Sequence, residues 1–309
     1  MGFEEPILQI RRQIEEVSAA DGDPSRLAEL EEKLTKVANE IYANLTPWQK
    51  TLVARHPQRP YTLDFIGALF EEWIEVHGDR NFADDAAIVA GFARFHGQAC
   101  AVVGHQKGRN TKEKIVRNFG QPRPEGFRKA LRVMKLAEKF KIPIFSFVDT
   151  QGAYPGVGAE ERGQAEAIAV NLREMAALEV PIVVSVVGEG GSGGALGLGV
   201  GDRVYMLEHA VYSVISPEGC AAILWKNAAA APEAAATMRI TASDLKKFGI
   251  IDDIVPEPAG GAHADGAKAA ELLRPFLDRG LTELKKIKAS LLPEERYKKF
   301  RRMGVFEKS

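Results

Sequence analysis

Cysteine is almost absent from this chain, since only Cys100 and Cys220 occur among its 309 residues. Two cysteines are too few for the disulfide framework with which small secreted proteins are stabilised. They are also too few for a self-contained zinc site, which takes four ligands. We therefore expect a chain that holds no metal of its own and that works in a reducing compartment, the cytoplasm.

An excess of charge and long apolar segments are missing as well. The chain has 41 basic and 42 acidic residues, a balance that creates no overall field to attract nucleic acid or a membrane surface. Its longest apolar runs have the length of strands and not of membrane-spanning helices. Glu4 and Glu5 interrupt the first residues, which have no apolar core of a signal peptide. A soluble protein without a membrane segment is expected.

Glycine, by contrast, is concentrated in residues 188–201, which read GEGGSGGALGLGVG and include eight glycines. The apolar run at 180–187 directly before them predicts a buried strand. The apolar residues after them indicate a helix that begins near Gly193. The free N–H groups and the positive dipole end of such a helix favour an anion or an oxyanion just beyond the strand.

The same glycines allow two other interpretations of this segment. Gly188, Gly190 and Gly193 match the dinucleotide pattern GxGxxG, with Glu208 at a plausible spacing for a ribose contact. Glycines continue as far as Gly201, however, where that fold has an ordinary helix. The segment can also be a tight turn with close helix–sheet packing and no ligand.

A third alternative is the nucleophile elbow of serine hydrolases. Gly190, Ser192 and Gly194 match its pattern GxSxG. An acid and a histidine would then have to follow, and nothing about the spacing selects a pair. The loose candidates are Asp202, His209, Asp244 and His263.

A second glycine turn follows the preceding predicted strand, at 142–148. The next residues, 149–156, read DTQGAYPG, and a helix is expected over 159–178. Strands that alternate with helices of this length pair in parallel, so their carboxyl ends meet at one edge of the sheet. The sequence therefore predicts two sets of backbone donors side by side.

The flanking segments are less specific. Residues 3–45 predict two amphipathic helices, either an arm on the protein's own core or an arm on a partner subunit, and a helix is expected over 61–78. The stretch 106–124 has six cations against Glu113 alone. It is either solvated surface or a contact for a phosphorylated or carboxylated substrate or an acidic partner. The basic tail at 281–309 is either a solvated face or a docking surface.

Taken together, these segments resemble the α subunit of bacterial acetyl-CoA carboxylase carboxyltransferase. The resemblance extends from Phe3 to about Phe306, and Gln151 stands where that family often has proline. It rests on six motifs in this order: PYTLDFI (60–66), HGDRNFADDAAIVAG (77–91), GRNTKEKIVRNFGQPRPEGFRKA (108–130), DTQGAYPGVGAEERGQ (149–164), GEGGSGGALGLGVGDRV (188–204) and SVISPEGCAAILWK (213–226).

The resemblance implies an α/β, crotonase-like (ClpP/crotonase) fold, a superhelical stack of ββα units with helical extensions at both ends. The extensions would be residues 1–58 and 259–309, around a carboxyltransferase core at 59–258. The family transfers the carboxyl group of carboxybiotin, which the biotin carboxyl carrier protein presents, to acetyl-CoA. The product is malonyl-CoA, in the first committed step of fatty acid biosynthesis.

The resemblance also implies partners. A zinc-bearing β subunit would supply most of the acetyl-CoA site in an α2β2 assembly, and a separate biotin carboxylase would consume ATP. No cofactor would be bound covalently to this chain, and the chain itself would carry no metal.

Carboxyl transfer leaves negative charge on the ureido oxygen of biotin and on the acetyl-CoA enolate, and both are stabilised by fixed N–H donors. We expect Gly193 and Gly194 to bind the ureido oxygen, with the Gly152–Ala153 turn opposite. The remaining expected substrate-binding residues are Gly190, Gly191, Tyr154, Pro155 and Gly156.

Two other function classes stay open at this point. A crotonase-type hydratase or isomerase would act alone on an acyl-CoA and would need a side-chain acid or base. Glu160 and Glu161 are the nearby pair, and their alternative role is ordinary helix-start electrostatics. A non-catalytic scaffold subunit is the other class, and it would leave the glycine turns unexplained.

Overall fold

The computed structural model of the protein describes residues 1–20 and 23–304. Residues 305–309 of the predicted basic tail lie outside the described residues. Within the described part, the chain forms one eight-stranded mixed sheet that is flanked by helices.

The strands follow the predicted alternation with helices. They are β1 (Glu71–Glu75), β2 (Ile88–Phe95), β3 (Gln98–His105), β4 (Ile144–Thr150), β5 (Ile182–Gly191), β6 (Arg203–Leu207), β7 (Val211–Ser213) and β8 (Asp253–Val255). Their order in the sheet is β1-β2-β3-β4-β5-β6-β8, and β7 pairs with the end of β5. The first three strands pair antiparallel, and every later pair is parallel.

The helices cover both ends of the chain and the connections between the parallel strands. They are α1 (Glu5–Ala19), α2 (Pro24–Ala43), α3 (Pro47–Ala54), α4 (Thr62–Leu69), α5 (Thr111–Val116), α6 (Pro124–Phe140), α7 (Val157–Glu161), α8 (Gln164–Ala177), α9 (Ser192–Gly199), α10 (Pro217–Leu224), α11 (Ala231–Met238), α12 (Ala242–Lys247), α13 (Gly266–Leu284) and α14 (Leu292–Arg301). In the described part of the chain, no helix combines the length and the apolar character that crossing a bilayer requires.

The helix expected over 159–178 is divided into α7 and α8 at Gly163, whose φ is +80°. Two further predicted boundaries are wrong because of strand pairing. The helix expected over 61–78 ends at Leu69, because the next residues form the edge strand β1, in which Ile74 pairs with Phe92 of β2. The strand predicted at 180–187 continues to Gly191, because its glycines pair with β7. Glycine disfavours a strand on its own, so the neighbouring strand decides the outcome.

The N-terminal helices pack on the core of their own chain. The Tyr42 hydroxyl of α2 donates a 2.5 Å hydrogen bond to Glu4, and Nε2 of His263 lies 3.2 Å from the same carboxylate oxygen. The ring of His263 stacks on His56, with 3.9 Å between the ring centroids. Burial alone would raise the pKa of Glu4, but the hydrogen bonds from His263 and Tyr42 lower it to about 2. This cluster joins the start of the chain to the loop before α13.

Part of the basic tail is buried. Arg296 of α14 is only 1% exposed, and its guanidinium donates two 2.9 Å hydrogen bonds to the carboxylate of Asp202. It also donates to the backbone carbonyls of Met175 and Leu178 at the end of α8, at 2.7 and 3.0 Å. Arg296 thus fastens the C-terminal helix to the sheet and is not part of a solvated face.

We predict that Arg296→Met lowers the free energy of unfolding by about 3–5 kcal/mol, because it leaves the Asp202 carboxylate buried without its partner. Lys298→Met on the same helix removes only exposed pairs with Glu294 and Glu295. It should change the free energy of unfolding far less than Arg296→Met does, because solvent screens these pairs. Urea unfolding of both variants makes the comparison, and equal costs would contradict the anchoring role of Arg296.

Candidate active site

The two predicted glycine turns lie side by side at one edge of the sheet. Strands β4 and β5 pair in parallel from Ile144 opposite Ile182, and at their carboxyl ends Thr150 lies opposite Gly190. The turn after β4 therefore lies beside the start of α9. The predicted parallel pairing is confirmed.

Close packing explains most of the glycine content of residues 188–201. A Cβ atom at Gly194 would lie 2.6 Å from the backbone nitrogen of Ala153 and 2.6 Å from the carbonyl carbon of Gly152. Gly193 alone among the eight has room, with the side chain of Ile168 3.5 Å from its Cβ position. At the other six a Cβ would collide with neighbouring atoms, namely at Gly188, Gly190, Gly191, Gly197, Gly199 and Gly201. The tight-packing interpretation thus accounts for seven glycines and leaves Gly193 to be explained.

Helix α9 begins at the point where β5 ends, with no intervening loop. Ser192, its first residue, has φ of +52°, a left-handed conformation that is strained for a residue with a side chain. The first N–H groups of the helix have no acceptor within it. A helix start of this kind stabilises negative charge by its free donors and its dipole.

A cavity of about 570 Å³, which we call the glycine cavity, opens at the start of α9. Five of the expected site residues line it together: Gly152, Ala153, Tyr154, Pro155 and Gly193. Its walls also include Gln151, Glu160, Gln164, Ile168 and Ser192. The residues of both turns, several uncharged side chains and the carboxylate of Glu160 thus surround one space.

The other expected site residues lie outside this cavity. Gly194 is buried behind it, against the Gly152–Ala153 backbone. Gly190 and Gly191 border a separate space of only about 20 Å³. Gly156 packs against the ring of Tyr154. These four glycines allow close packing around the site, whereas Gly193 borders the cavity itself.

His105, which no sequence motif marks, forms hydrogen bonds to both turns. Its Nε2 lies 3.1 Å from the carbonyl oxygen of Gly194, and its Nδ1 lies 3.4 Å from the backbone nitrogen of Asp149. Because Nε2 must donate to the carbonyl and Nδ1 must accept, the imidazole is neutral with its proton on Nε2. Burial lowers the pKa of His105 to about 3. His105 therefore holds the strand end and the helix start at a fixed distance.

A largely buried cation also joins the ends of the two strands. Nζ of Lys107 lies 2.7 Å from Asp149 at the end of β4 and 3.1 Å from Glu189 near the end of β5. Arg55 donates to Glu189 at 2.6 Å and pairs with Glu218 at 2.5 Å. Burial alone would lower the pKa of Lys107, but Asp149 and Glu189 raise it, so the ammonium stays charged. No local sequence pattern connects these residues, which are far apart along the chain.

This charged network borders a second cavity, of about 550 Å³. Its walls include Arg55, Lys107 and Glu189 as well as the aromatic rings of Tyr61 and Phe119. Gln151 and Ser216 line this cavity and the glycine cavity alike. The two cavities therefore adjoin at Gln151, in the turn after β4.

The basic stretch at 106–124 is mostly engaged in contacts within the chain. Besides Lys107, Arg109 donates to the carbonyl oxygens of Pro57 and Arg59 and pairs with Asp64. The guanidinium of Arg117 donates to a backbone carbonyl, and that of Arg123 lies over the ring of Tyr154. Four of the six cations are therefore held by groups of the same chain, whereas residues 109–113 lie exposed at the surface.

The residues required by the serine-hydrolase alternative have other roles. Within residues 1–20 and 23–304, no hydrogen bond joins the Ser192 hydroxyl to a base. Of the four loose partners, Asp202 pairs with Arg296, His263 binds Glu4, His209 packs on Tyr42 and Asp244 accepts from Thr241 at the start of α12. The elbow geometry is present at Ser192 without the groups that would activate a nucleophile.

Known proteins resemble this chain over its whole length. The family described as acetyl co-enzyme A carboxylase carboxyltransferase-like matches residues 1–304. The acetyl-coenzyme A carboxylase carboxyl transferase subunit alpha of Syntrophotalea carbinolica is 56% identical over 99% of this chain and 98% of that protein. The protein of the same name from an Azoarcus species is 55% identical over 99% and 97%.

The chain belongs to the acetyl-CoA carboxylase carboxyltransferase α-subunit family. The predicted family is confirmed, and the family favours a carboxyltransferase over a crotonase-type hydratase. As an α subunit, a member of this family works in an enzyme of more than one subunit, with biotin-dependent chemistry.

Solved structures of carboxyltransferases share the fold of this family member. A transcarboxylase 12S structure with methylmalonyl-coenzyme A has a TM-score of 0.56 at 23% identity, over 69% of this chain and 41% of that one. The geranyl-CoA carboxylase β subunit of Pseudomonas aeruginosa has a TM-score of 0.56 at 17% identity, over 78% and 45%. A Pseudomonas malonate decarboxylase heterodimer has 0.56 at 17%, over 71% and 90%. The predicted crotonase-like fold is confirmed.

The neutral state of His105 predicts that this carboxyltransferase subunit loses stability in acid. Below the unfolded pKa of about 6.5, the unfolded chain takes up a proton that the folded His105 does not accept until about pH 3. The free energy of unfolding should therefore fall by about 1.4 kcal/mol per pH unit for this group. His105→Gln should remove that part of the slope.

His56 provides a matched comparison, because burial lowers its pKa only to about 4. His56→Gln should flatten the slope between about pH 6.5 and 4, but not below pH 4. Urea unfolding at several pH values measures both slopes. An unchanged slope in His105→Gln would show that this residue is not held neutral.

Proposed function

We propose that this chain forms the half of an acetyl-CoA carboxylase carboxyltransferase that handles carboxybiotin. In this proposal the biotin carboxyl carrier protein presents carboxybiotin, and the carboxyl group passes to acetyl-CoA to give malonyl-CoA for fatty acid synthesis. The observation that carries the proposal is the glycine cavity, where the start of α9 meets the Gly152–Ala153 turn. We place the reaction in the cytoplasm.

The residues around the cavity fit an uncharged cyclic urea better than a charged group. No arginine or lysine is among the described residues that line the cavity. In the adjoining cavity Lys107 and Arg55 bind carboxylates, and Arg123 lies over the ring of Tyr154. What remains for a ligand are backbone N–H groups, the amide side chains of Gln121 and Gln151, and the exposed carboxylate of Glu160 at the rim. Such groups suit a neutral ring with one carbonyl oxygen.

Carboxybiotin, when bound, supplies the carboxyl group and a departing nitrogen that can take the substrate proton. The chain contributes fixed donors: the N–H groups of Gly193 and Gly194 for the ureido oxygen, with the Gly152–Ala153 turn opposite. In that turn the N–H of Gly152 already donates to the Thr150 hydroxyl, so the N–H of Ala153 is the donor that it offers. One such donor typically contributes about 3 kcal/mol to transition-state stabilisation, or 10²–10³ in rate. Because packing fixes these N–H groups, little reorganisation is needed when charge develops.

A β subunit completes the site in this proposal. It carries the zinc and most of the acetyl-CoA contacts in an α2β2 assembly, and a separate biotin carboxylase uses the ATP. Exposed apolar side chains support a partner surface near the cavity. Val214 at its wall is 79% exposed, and Ile223 and Leu224 of α10 are 67% and 68% exposed.

We predict that the isolated chain does not catalyse malonyl-CoA-dependent carboxylation of free biotin, because one subunit supplies only one of the two charge-stabilising halves. The mixture with a co-purified β subunit should be active. The measurement is steady-state turnover with and without β. Substantial turnover by the isolated chain would favour the hydratase-like alternative, in which Glu160 at the cavity wall acts as the acid or base.

We predict that Ser192→Ala in the assembled enzyme keeps most of the transferase activity, because only the backbone of this residue contributes. Ser192→Gly should also relieve the strained conformation and add up to about 1 kcal/mol of stability. If Ser192 were the nucleophile, both variants would instead lose nearly all transferase activity. Labelling of Ser192 by a fluorophosphonate probe would likewise contradict this role.

A further inference from the structure

A cluster of exposed apolar side chains lies in and after α5, at the edge of the second cavity. Ile115, Val116 and Phe119 are 61%, 59% and 54% exposed, so three large apolar side chains lie in solvent within five residues. Lys114 and Phe119 also line the second cavity. Single exposed apolar residues are ordinary, whereas a cluster of them marks a contact surface. We call residues 112–119 the α5 surface.

The α5 surface is positively charged. Within residues 1–20 and 23–304, the side chains of Lys112 and Lys114 form no ion pair and no hydrogen bond. Glu113 between them accepts from the backbone N–H of Arg109, and the guanidinium of Arg117 donates to an uncharged backbone carbonyl. The surface thus has three cations against one carboxylate, whereas the whole chain has a net charge of −1. An acidic partner would complement this surface.

Phe119 lies on a turn with a strained backbone. Asn118 and Phe119 have φ of +47° and +56°, which places two successive residues with side chains in the left-handed region. Nδ2 of Asn118 donates to Oδ1 of the buried Asp85 at 3.1 Å, and the N–H of Gly120 donates to the carbonyl oxygen of Arg117 at 2.8 Å. Strain of this kind persists where surrounding contacts fix it, and it is concentrated at functional sites. A fixed turn that presents an aromatic ring to solvent is suited to contact another molecule.

The α5 surface differs in charge from the apolar surface at Val214 and α10, which we assigned to the β subunit. The one charged residue of α10, Glu218, pairs with Arg55. Permanent interfaces are the more apolar ones, whereas complementary charges accelerate the encounter of partners that come and go. In the proposed function the β subunit stays bound, and the carrier protein leaves after each transfer. The basic α5 surface therefore fits the carrier protein better than it fits the β subunit.

The α5 surface also lies where a carrier can deliver biotin to the glycine cavity. A carrier holds biotin at the end of a side chain, so it must dock close to the entrance of the site. Lys114 and Phe119 belong to the wall of the second cavity, and Gln151 and Ser216 line both cavities. The arm of a partner that is docked on the α5 surface can thus enter through the second cavity.

We propose that the α5 surface is the docking site of the biotin carboxyl carrier protein, which contacts it through an acidic surface that contains apolar side chains. This proposal depends on the function proposed above. The α5 surface binds the carrier, and the glycine cavity binds the biotin ring.

The test uses the chain assembled with its β subunit and compares two acceptors at saturating malonyl-CoA. One is the biotinylated carrier protein of the same organism, and the other is free biotin. Lys112→Glu combined with Ile115→Ser changes two side chains that line neither cavity. This double variant should raise KM for the carrier about tenfold or more, because it reverses one charge and removes one apolar contact. Its KM and kcat with free biotin should not change.

Lys139→Glu combined with Phe140→Ser is the matched control. Phe140 is 61% exposed, like Ile115, and follows an exposed lysine at the end of α6. Because α6 ends shortly before β4 begins, this pair lies at the amino end of that strand, away from the two turns. The control should keep the wild-type KM for both acceptors.

A wild-type KM for the carrier in the α5 double variant would overturn the proposal, and so would an equal loss with free biotin or in the control. Loss of the β subunit on co-purification would also overturn it, by assigning the α5 surface to that interface. Added salt should raise the wild-type KM for the carrier but not for free biotin, because salt screens the basic side chains. A carrier KM that is independent of salt would overturn the proposal even if the double variant failed to fold. Absence of carboxylation of either acceptor by the assembled wild-type enzyme would instead overturn the proposed function.

Discussion

At Gly194 the backbone of α9 approaches the turn after β4 so closely that a Cβ would lie 2.6 Å from two of its backbone atoms. Any side chain at this position would separate the helix start from the Gly152–Ala153 turn. The cavity, its wall at Gly193 and the direction of the N–H groups all depend on this contact. His105 stabilises this contact through hydrogen bonds to Gly194 and to Asp149 at the end of β4.

The electrostatic design separates full charges from the proposed charge-stabilising groups. Lys107 lies between Asp149 and Glu189, so the cation at the strand ends is neutralised by carboxylates. Removing it would leave two buried anions close together, which is strongly unfavourable. The network therefore acts as a frame for the two turns, and uncharged N–H dipoles remain to face the substrate.

Sequence patterns identified the features that depend on local chemistry. Two apolar strands, each followed by glycines and a helix, predicted the parallel pairing and the meeting of the two turns, and the motifs predicted the family. The patterns did not mark His105, and they placed Lys107 in a basic stretch without its partners, because the contacts of both residues are with residues far away in the chain. They also assigned most of the glycine content to anion binding, whereas seven of the eight glycines are required by contacts that only the folded structure reveals.

The central claim is that a backbone N–H at the start of α9 stabilises charge in the reaction. Replacing Gly193 by glycolic acid removes this N–H and adds no side chain, and Gly193 is the glycine of residues 188–201 that borders the cavity. With the β subunit present, turnover should fall by about 10²–10³ while the assembly stays intact. Turnover within about threefold of the parent enzyme, in an intact assembly, would contradict the claim.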